Sequence, residues 1–247
     1  MNAFPTIPAD AMPWLTTTQM VEVDRAMIED YRIDLTRMME NAGRALALLA
    51  SRRFLDPSPV GARVLVVAGP GGNGGGALVA ARRLHGWGAA VHVVTTAERD
   101  RFTEVPRRQL EILDRLAVDV RRESDIVGLP KPDLVLDGVI GYGLRGAPKD
   151  AAASAISAIA RSAAPVVSLD VPSGVDSASG VVHDPAVRAT ATLTLAMPKR
   201  GLRAGDAAAC VGELYLADIG VPPELYRRSL RIDVGPIFAS GDVLRVG

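Results

Sequence analysis

Residues 63–84 read RVLVVAGPGGNGGGALVAARRL, and their pattern decides the fold. The apolar run 64–68 breaks into six glycines within eight residues, 69–76. A helical pattern follows at once, with Leu78, Val79, Ala81 and Leu84 on one face. Strand, glycine loop and helix in that order aim free backbone N–H groups at an anion, and glycine lets a ligand approach the backbone closely. The stretch is a candidate phosphate or pyrophosphate cradle. Neither standard nucleotide motif is complete. Ala77-Leu78 stand where a Walker A loop needs Lys and Ser/Thr. Glu98 and Asp100, near the place of a ribose-binding acid, follow Thr95-Thr96 in a loop. For the loop alone, a plain flexible turn is the competing reading.

Working outward, segments 90–95 (AVHVVT), 118–121, 134–136, 166–169, 191–196 (ATLTLA) and 213–217 (ELYLA) read as further strands. Segments 105–116, 151–162 and 222–229 read as helices. Upstream, Thr16, Thr17 and Thr18 offer a cap to a helix whose Met20, Val23, Met27 and Tyr31 recur at spacings of three and four. A second helix is expected over 34–54, with Met38, Ala42, Ala45, Leu46 and Leu49 inside. This alternation predicts an α/β chain: a three-layer, Rossmann-like α/β/α sandwich around a mostly parallel central sheet. No linker-like shift in composition divides the 247 residues, so a single domain over 1–247 is expected. Residues 1–14, with Pro5, Pro8 and Pro13, are expected to form a loose arm, and 230–247 carry no interpretable motif.

Composition narrows the function classes. Apolar residues make up 48% and charged residues 23%, as in soluble globular proteins. The formal net charge of +0 argues against nucleic-acid binding by bulk electrostatics. One cysteine, Cys210, allows no intrachain disulfide and fits a reducing compartment. The first residues, MNAFPTIPADAMPWL, do not read as a signal peptide, and no apolar run is long enough for a membrane span. A cytoplasmic protein without membrane partners is expected.

In open α/β sheets, ligands bind beyond the carboxyl ends of the strands. Three loops leave such ends. The first is the glycine loop, with Asn73 as its one polar side chain; the second runs 137–146 and the third 170–176. The last two open with Asp137 and Asp170, each directly after an apolar strand. Parallel topology brings both acids to the edge that carries the glycine loop. Asn73, Asp137 and Ser173 offer an amide oxygen, a carboxylate and a hydroxyl, all hard donors with little total charge, which suits an undemanding hard cation. Asp170 is left for proton transfer. His85, His92 and His183 are scattered and support no zinc site, and no Gly-x-Ser-x-Gly elbow is present.

Six motifs occur in one order: LTTTQM with Asp24-Arg25, MMENAG, AGPGGNGGGALVAARRL, LDGVIGYGL, SLDVPSGVDSASG and ATLTLAMPKRGL. Together they resemble the NAD(P)H-hydrate epimerase family, the YjeF N-terminal domain, over roughly residues 14–230. The resemblance implies interconversion of the R and S hydrates of NADH and NADPH (NADHX and NADPHX). It also implies a homodimer and work alongside a separate ADP- or ATP-dependent dehydratase that accepts the S form. Carried over by position, potassium ligands fall on Asn73, Asp137 and Ser173. Substrate contacts fall on Gly72, Asn73, Gly74, Gly75 and Gly76, on Gly141, Tyr142, Gly143, Leu144, Arg145, Gly146 and Ala147, and on Asp170, which is also the expected catalytic acid. Lys199 is either near the site or a solvated strand-end lysine. The family loop usually reads GPGNNGGDG; here Gly72, Gly76 and Ala77 replace Asn, Asp and Gly. That departure keeps open a non-catalytic nucleotide-binding or scaffolding module. An ordinary Rossmann oxidoreductase fits less well, for want of the ribose-binding acid.

Overall fold

Strands buried on both faces need near-continuous apolar runs, and β2 (Arg63–Ala68) and β5 (Leu134–Gly138) supply them in residues 64–68 and 134–136. Val64, Val66, Leu134 and Leu136 pack on one side of the sheet; Leu65, Val67 and Val135 pack on the other. The computed structural model describes residues 4–55 and 57–247. The remaining strands are β1 (Thr6–Ile7), β3 (Ala90–Thr95), β4 (Asp119–Arg122), β6 (Val166–Leu169), β7 (Ala191–Leu195), β8 (Glu213–Ala217) and β9 (Val243–Val246). They form one sheet in the order β1-β9-β8-β7-β6-β5-β2-β3-β4, in which β8 and β9 make the antiparallel pair and every other pair is parallel. The expected α/β/α sandwich is present. Helices α2 (Leu35–Leu49), α3 (Gly72–Gly86) and α4 (Glu104–Arg115) cover one face, and α5 (Asp150–Ala160) covers the other.

Local chemistry sets the helix starts. Thr16 caps α1 (Thr17–Glu29): its hydroxyl accepts the Gln19 N–H at 3.2 Å, and Gln19 Oε1 accepts the Thr16 N–H at 2.9 Å. Asp34 caps α2 by accepting the Arg37 N–H. Met20, Val23 and Met27 of the predicted stripe are buried on α1 together with Ala26, although Tyr31 lies beyond its end. Helix α2 stops short of residue 54 as an α-helix, and its last turn widens through Ala50–Phe54. Short helices α6 (Gly205–Val211) and α7 (Pro223–Leu225) complete the elements.

The expected loose arm is instead pinned to the far edge of the sheet. Thr6 lies opposite Arg245 in a parallel pair, and buried Phe4 meets Tyr215 edge-on at 5.7 Å. Trp14 Nε1 donates to the Ala9 carbonyl at 2.9 Å, and Leu15 N–H to the Pro198 carbonyl at 2.8 Å. Residues 1–3 of that arm lie outside the described residues. An edge strand pairs on one side, so its prolines need not break it. Pro5 has no N–H, but its carbonyl accepts the Arg245 N–H at 2.8 Å.

Candidate active site

Strand order reverses between β2 and β5, and a cavity of about 580 Å³ opens beyond their carboxyl ends. Chain segments beyond β2, β5, β6 and β7, with helices α1 and α2, enclose it. Gly71 comes from the loop after β2, and Gly72 and Asn73 from the start of α3; Val139 to Gly143 come from the loop after β5; Asp170 and Lys199 come from beyond β6 and β7. Met20 of α1 and Met38 and Met39 of α2 form an apolar wall.

The glycine loop is built from backbone-to-backbone contact. A Cβ on Gly69 would lie 2.0 Å from the Val139 carbonyl oxygen, and one on Gly74 would lie 1.8 Å from the Gly69 oxygen. Only glycine permits that approach. Helix α3 therefore starts at Gly72 with its first N–H groups at the cavity, and Gly71 and Gly72 are exposed. Gly74, Gly75 and Gly76, expected as substrate contacts, are buried and do not line the cavity. Gly75 sits against Met39 and Pro106, and Gly76 against Leu169. Of the second loop, Gly141, Tyr142 and Gly143 line the cavity, whereas Leu144, Arg145, Gly146 and Ala147 do not.

The departures from the family loop have local reasons. A Cβ at Gly76 would come within 2.8 Å of Leu169 Cδ2, so Leu169 holds the space an aspartate would use. At Gly72 the nearest atom to a Cβ is Met39 Cε at 3.8 Å, so that position is open. The Ala77 methyl is accommodated because position 138 is glycine, where a Cβ would approach it to 2.4 Å.

Asp170 has φ +67 and sits in a three-residue turn closed by the Val171 N–H on the Leu169 carbonyl at 2.8 Å. Ala196, beyond β7, repeats this with φ 62 and a Met197-to-Leu195 bond of 2.7 Å. Left-handed residues at two adjacent strand tips are strained, and such strain collects at functional sites. The reversals bring Lys199 back onto Asp170. Lys199 is buried, and its ammonium donates to Asp170 Oδ1, to Thr194 Oγ1 at 3.2 Å and to the Leu195 carbonyl at 2.9 Å. Of the two readings for Lys199, the solvated one is excluded.

Asp24 also lines the cavity, and its role was missed in the sequence. The Tyr142 phenol donates to its Oδ2, and the Tyr142 N–H donates to Asp170 Oδ2 at 3.1 Å. Burial pushes the Asp24 carboxyl above its usual range. Burial, and then the nearby Asp24 charge, push the Tyr142 phenol up as well. The signal was present: Asp24 is four residues past Met20 and three before Met27, a carboxyl on an otherwise apolar stripe.

Beneath the cavity, two of the three expected oxygen donors, Asp137 and Ser173, meet directly. Asp137 is fully buried, and no Lys, Arg or His pairs with it among the described residues. Its carboxylate accepts the Ser168 hydroxyl at 2.8 Å and the Ser173 hydroxyl and N–H at 2.6 and 2.9 Å, with the Val139 N–H at 3.2 Å. Burial drives the Asp137 carboxyl up from its usual range. The Ser173 hydroxyl has one proton but faces both Asp137 Oδ1 and, at 3.2 Å, the Ile140 carbonyl. The Asn73 side-chain nitrogen is buried without a partner. Surplus oxygen lone pairs and a buried negative charge without a counter-ion fit a monovalent cation held by oxygen. No cluster of three or more His, Cys, Asp or Glu side chains occurs among the described residues, so the donor set does not suit zinc.

Sheet order, glycine loop and strand-tip acids define a Rossmann-like α/β/α domain with a ligand cavity at its switch point. The chain belongs to the family described as YjeF-related protein N-terminus, whose profile matches residues 35–201. It is 42% identical to the NAD(P)H-hydrate epimerase of Dehalogenimonas lykanthroporepellens, over 98% of this chain and 96% of that one. It is 38% identical to the bifunctional NAD(P)H-hydrate repair enzyme Nnr of Pyrobaculum aerophilum, over 86% of this chain and 43% of that longer protein. The crystal structure of yeast ynu0 superposes with a TM-score of 0.80 over 95% of this chain and 100% of the yeast chain, at 21% identity, and shares the fold.

Proposed function

We propose that the chain is an NAD(P)H-hydrate epimerase, an isomerase that interconverts the R and S forms of NADHX and NADPHX. The observation that carries this reading is the meeting of the α3 amino terminus and Asp170 in one cavity. The N–H groups at Gly72 and Asn73 and the α3 dipole favour the substrate's pyrophosphate. Asp170, the substrate-contacting acid of this reading, faces the nicotinamide ring. Loss of the C6 hydroxyl leaves a ring cation, which a fixed carboxylate in a drier site favours. Met20, Met38 and Met39 restrict water around that cation. The near full-length likeness to a named epimerase supports this reading over a non-catalytic module. To test it, purified protein receives R-NADHX and an S-specific dehydratase, and NADH recovery is followed. The expected result is recovery faster than spontaneous epimerisation; equal rates with folded protein and potassium present overturn the reading.

Asn73, Asp137 and Ser173 would hold K⁺, which would neutralise the buried Asp137 charge and fix the loops around the site. Binding to the native state alone stabilises by RT ln(1 + [L]/Kd), about 1.4 kcal/mol at ten times Kd. For a chain of this size that is a rise of about 3–5 °C in melting temperature. The rise is expected in KCl against choline chloride of equal ionic strength, and is lost in Asp137→Asn. Identical melting in both salts would remove potassium from the site.

The fused relatives support functional coupling to a separate ADP- or ATP-dependent dehydratase. No helix among the described residues is long and apolar enough to cross a membrane. Cytoplasmic residence and a homodimer complete the reading, and light scattering tests the latter. The continuous sheet from Thr6 to Val246 supports treating the chain as one domain.

A further inference from the structure

The cavity holds two carboxylates whose surroundings differ in kind. Among the described residues, every group hydrogen-bonded to the Asp170 carboxylate donates: Lys199 and the Leu195 N–H, at 3.4 Å, to Oδ1, and the Tyr142 N–H, at 3.1 Å, to Oδ2. A protonated Asp170 could give its proton to none of them. It is clamped as an acceptor. Asp24 has one side-chain partner, the Tyr142 phenol, and makes no ion pair among the described residues. The adjacent Arg25 turns outward to Glu22, Glu29 and Asp30. A phenol can donate or accept, so Asp24 is satisfied with or without its proton. Among the described residues its Oδ1 makes no hydrogen bond, which leaves it for a ligand.

We propose that Asp24, held by the Tyr142 phenol, is the proton donor and acceptor of the reaction, while Asp170, clamped by Lys199, is the fixed anion beside the cationic ring. The inference rests on the epimerase reading above. Asp24 gives its proton to the C6 hydroxyl as the C6–O bond breaks, which releases water and leaves the Asp24 carboxylate and a ring cation shared with N1. Water then re-adds to C6, forming a new C6–O bond, and its proton returns to Asp24. One proton leaves, one returns, and no electrons are exchanged. A single acid/base serves both faces when the ring turns about its glycosidic bond between the half-reactions. The cavity of about 580 Å³ is in the middle of the range for small-molecule sites. Tyr142 coordinates the pair, because its N–H holds Asp170 and its phenol holds Asp24. Burial raises the Asp24 carboxyl, Tyr142 and Lys199 oppose the rise, Asp170 adds to it, and the Tyr226 phenol lies nearby.

Asp24→Asn tests the assignment, with Asp24→Glu and Tyr142→Phe as companions. The Asn variant is expected to lose at least about a hundredfold in kcat, the usual scale of general acid–base catalysis, with KM within a few-fold. The protonated acid is the working form, so wild-type kcat falls as pH rises through the raised Asp24 value. That limb disappears in Asp24→Asn, returns with part of the rate in Asp24→Glu, and moves to higher pH in Tyr142→Phe, which lacks a bond to the carboxylate. An Asn variant that keeps a third of wild-type kcat, or keeps the limb, overturns the proposal. Carbon-13 NMR of aspartate-labelled protein, differenced against Asp24→Asn, reads the same group without turnover. An Asp24 carboxyl titrating above the ordinary value of about 3.9 supports the proposal; one at or below it overturns the proposal. Inactive wild type would instead sink the epimerase reading, and the NMR result would still judge Asp24.

Discussion

Replacing Lys199 by methionine is expected to cost about 3–5 kcal/mol of stability and to abolish turnover. The Lys199 and Asp170 side chains are 0% and 4% exposed, so neither charge has water to fall back on. Removing the ammonium leaves a carboxylate in an apolar cavity with two backbone N–H donors, from Tyr142 and Leu195. Asp170 is also held at φ +67, so it cannot swing out to solvent without undoing the strand tip. The double variant Lys199→Met with Asp170→Asn removes both charges and is expected to recover most of the stability and none of the activity. Urea unfolding midpoints at constant slope measure this. A single variant that loses less than about 1 kcal/mol, or a double variant no more stable than the single, would show that the pair is not the buried clamp described.

That clamp marks a limit of what the sequence could tell. The sheet was legible because buried parallel strands need near-continuous apolar runs, and VLVVA, LVL and VVSL, interrupted only by Ser168, are such runs. The meeting of the glycine loop, Asp137 and Asp170 followed, since each stands where a parallel strand stops. Lys199 was not decidable. Its place depends on the reversal at Ala196, and an alanine at φ 62 has no sequence signature. Nor was the pairing of residues 6–7 with 243–246 visible, because a two-residue edge strand shows no period and its partner lies at the other end of the chain. Asp24 is invisible to helix periodicity, which registers a buried face through its apolar positions alone. The expectation that Gly74, Gly75 and Gly76 contact substrate comes from the family resemblance by position, and glycine serves close approach of any kind. Here they admit the close approach of Gly69, Met39 and Leu169.

Gly138→Ala is expected to destabilise by about 1–3 kcal/mol, the usual cost of overpacking. The new methyl would meet Ala77 Cβ at 2.4 Å and the Asn73 and Val67 carbonyl oxygens at 3.3 Å. Neither side can yield cheaply. Gly138 is held in the β2–β5 ladder opposite Ala68, and Ala77 lies in the second turn of buried α3. The strain therefore falls on Asn73 and Asp137, which flank the contact, and a displacement near 1 Å in a positioned site costs about a hundredfold in rate. Ala77→Gly alone should also destabilise, by about 1 kcal/mol, through lower helix propensity. In the double variant the glycine vacates the space that the new methyl needs. It is expected to be at least as stable as Gly138→Ala alone, so that a substitution harmful by itself becomes neutral or helpful beside its neighbour. Thermal unfolding of the four proteins gives the coupling directly. Effects that simply add, within about 0.5 kcal/mol, would mean that positions 77 and 138 do not share one volume. The appearance of alanine where the family loop has glycine would then lack its structural reason.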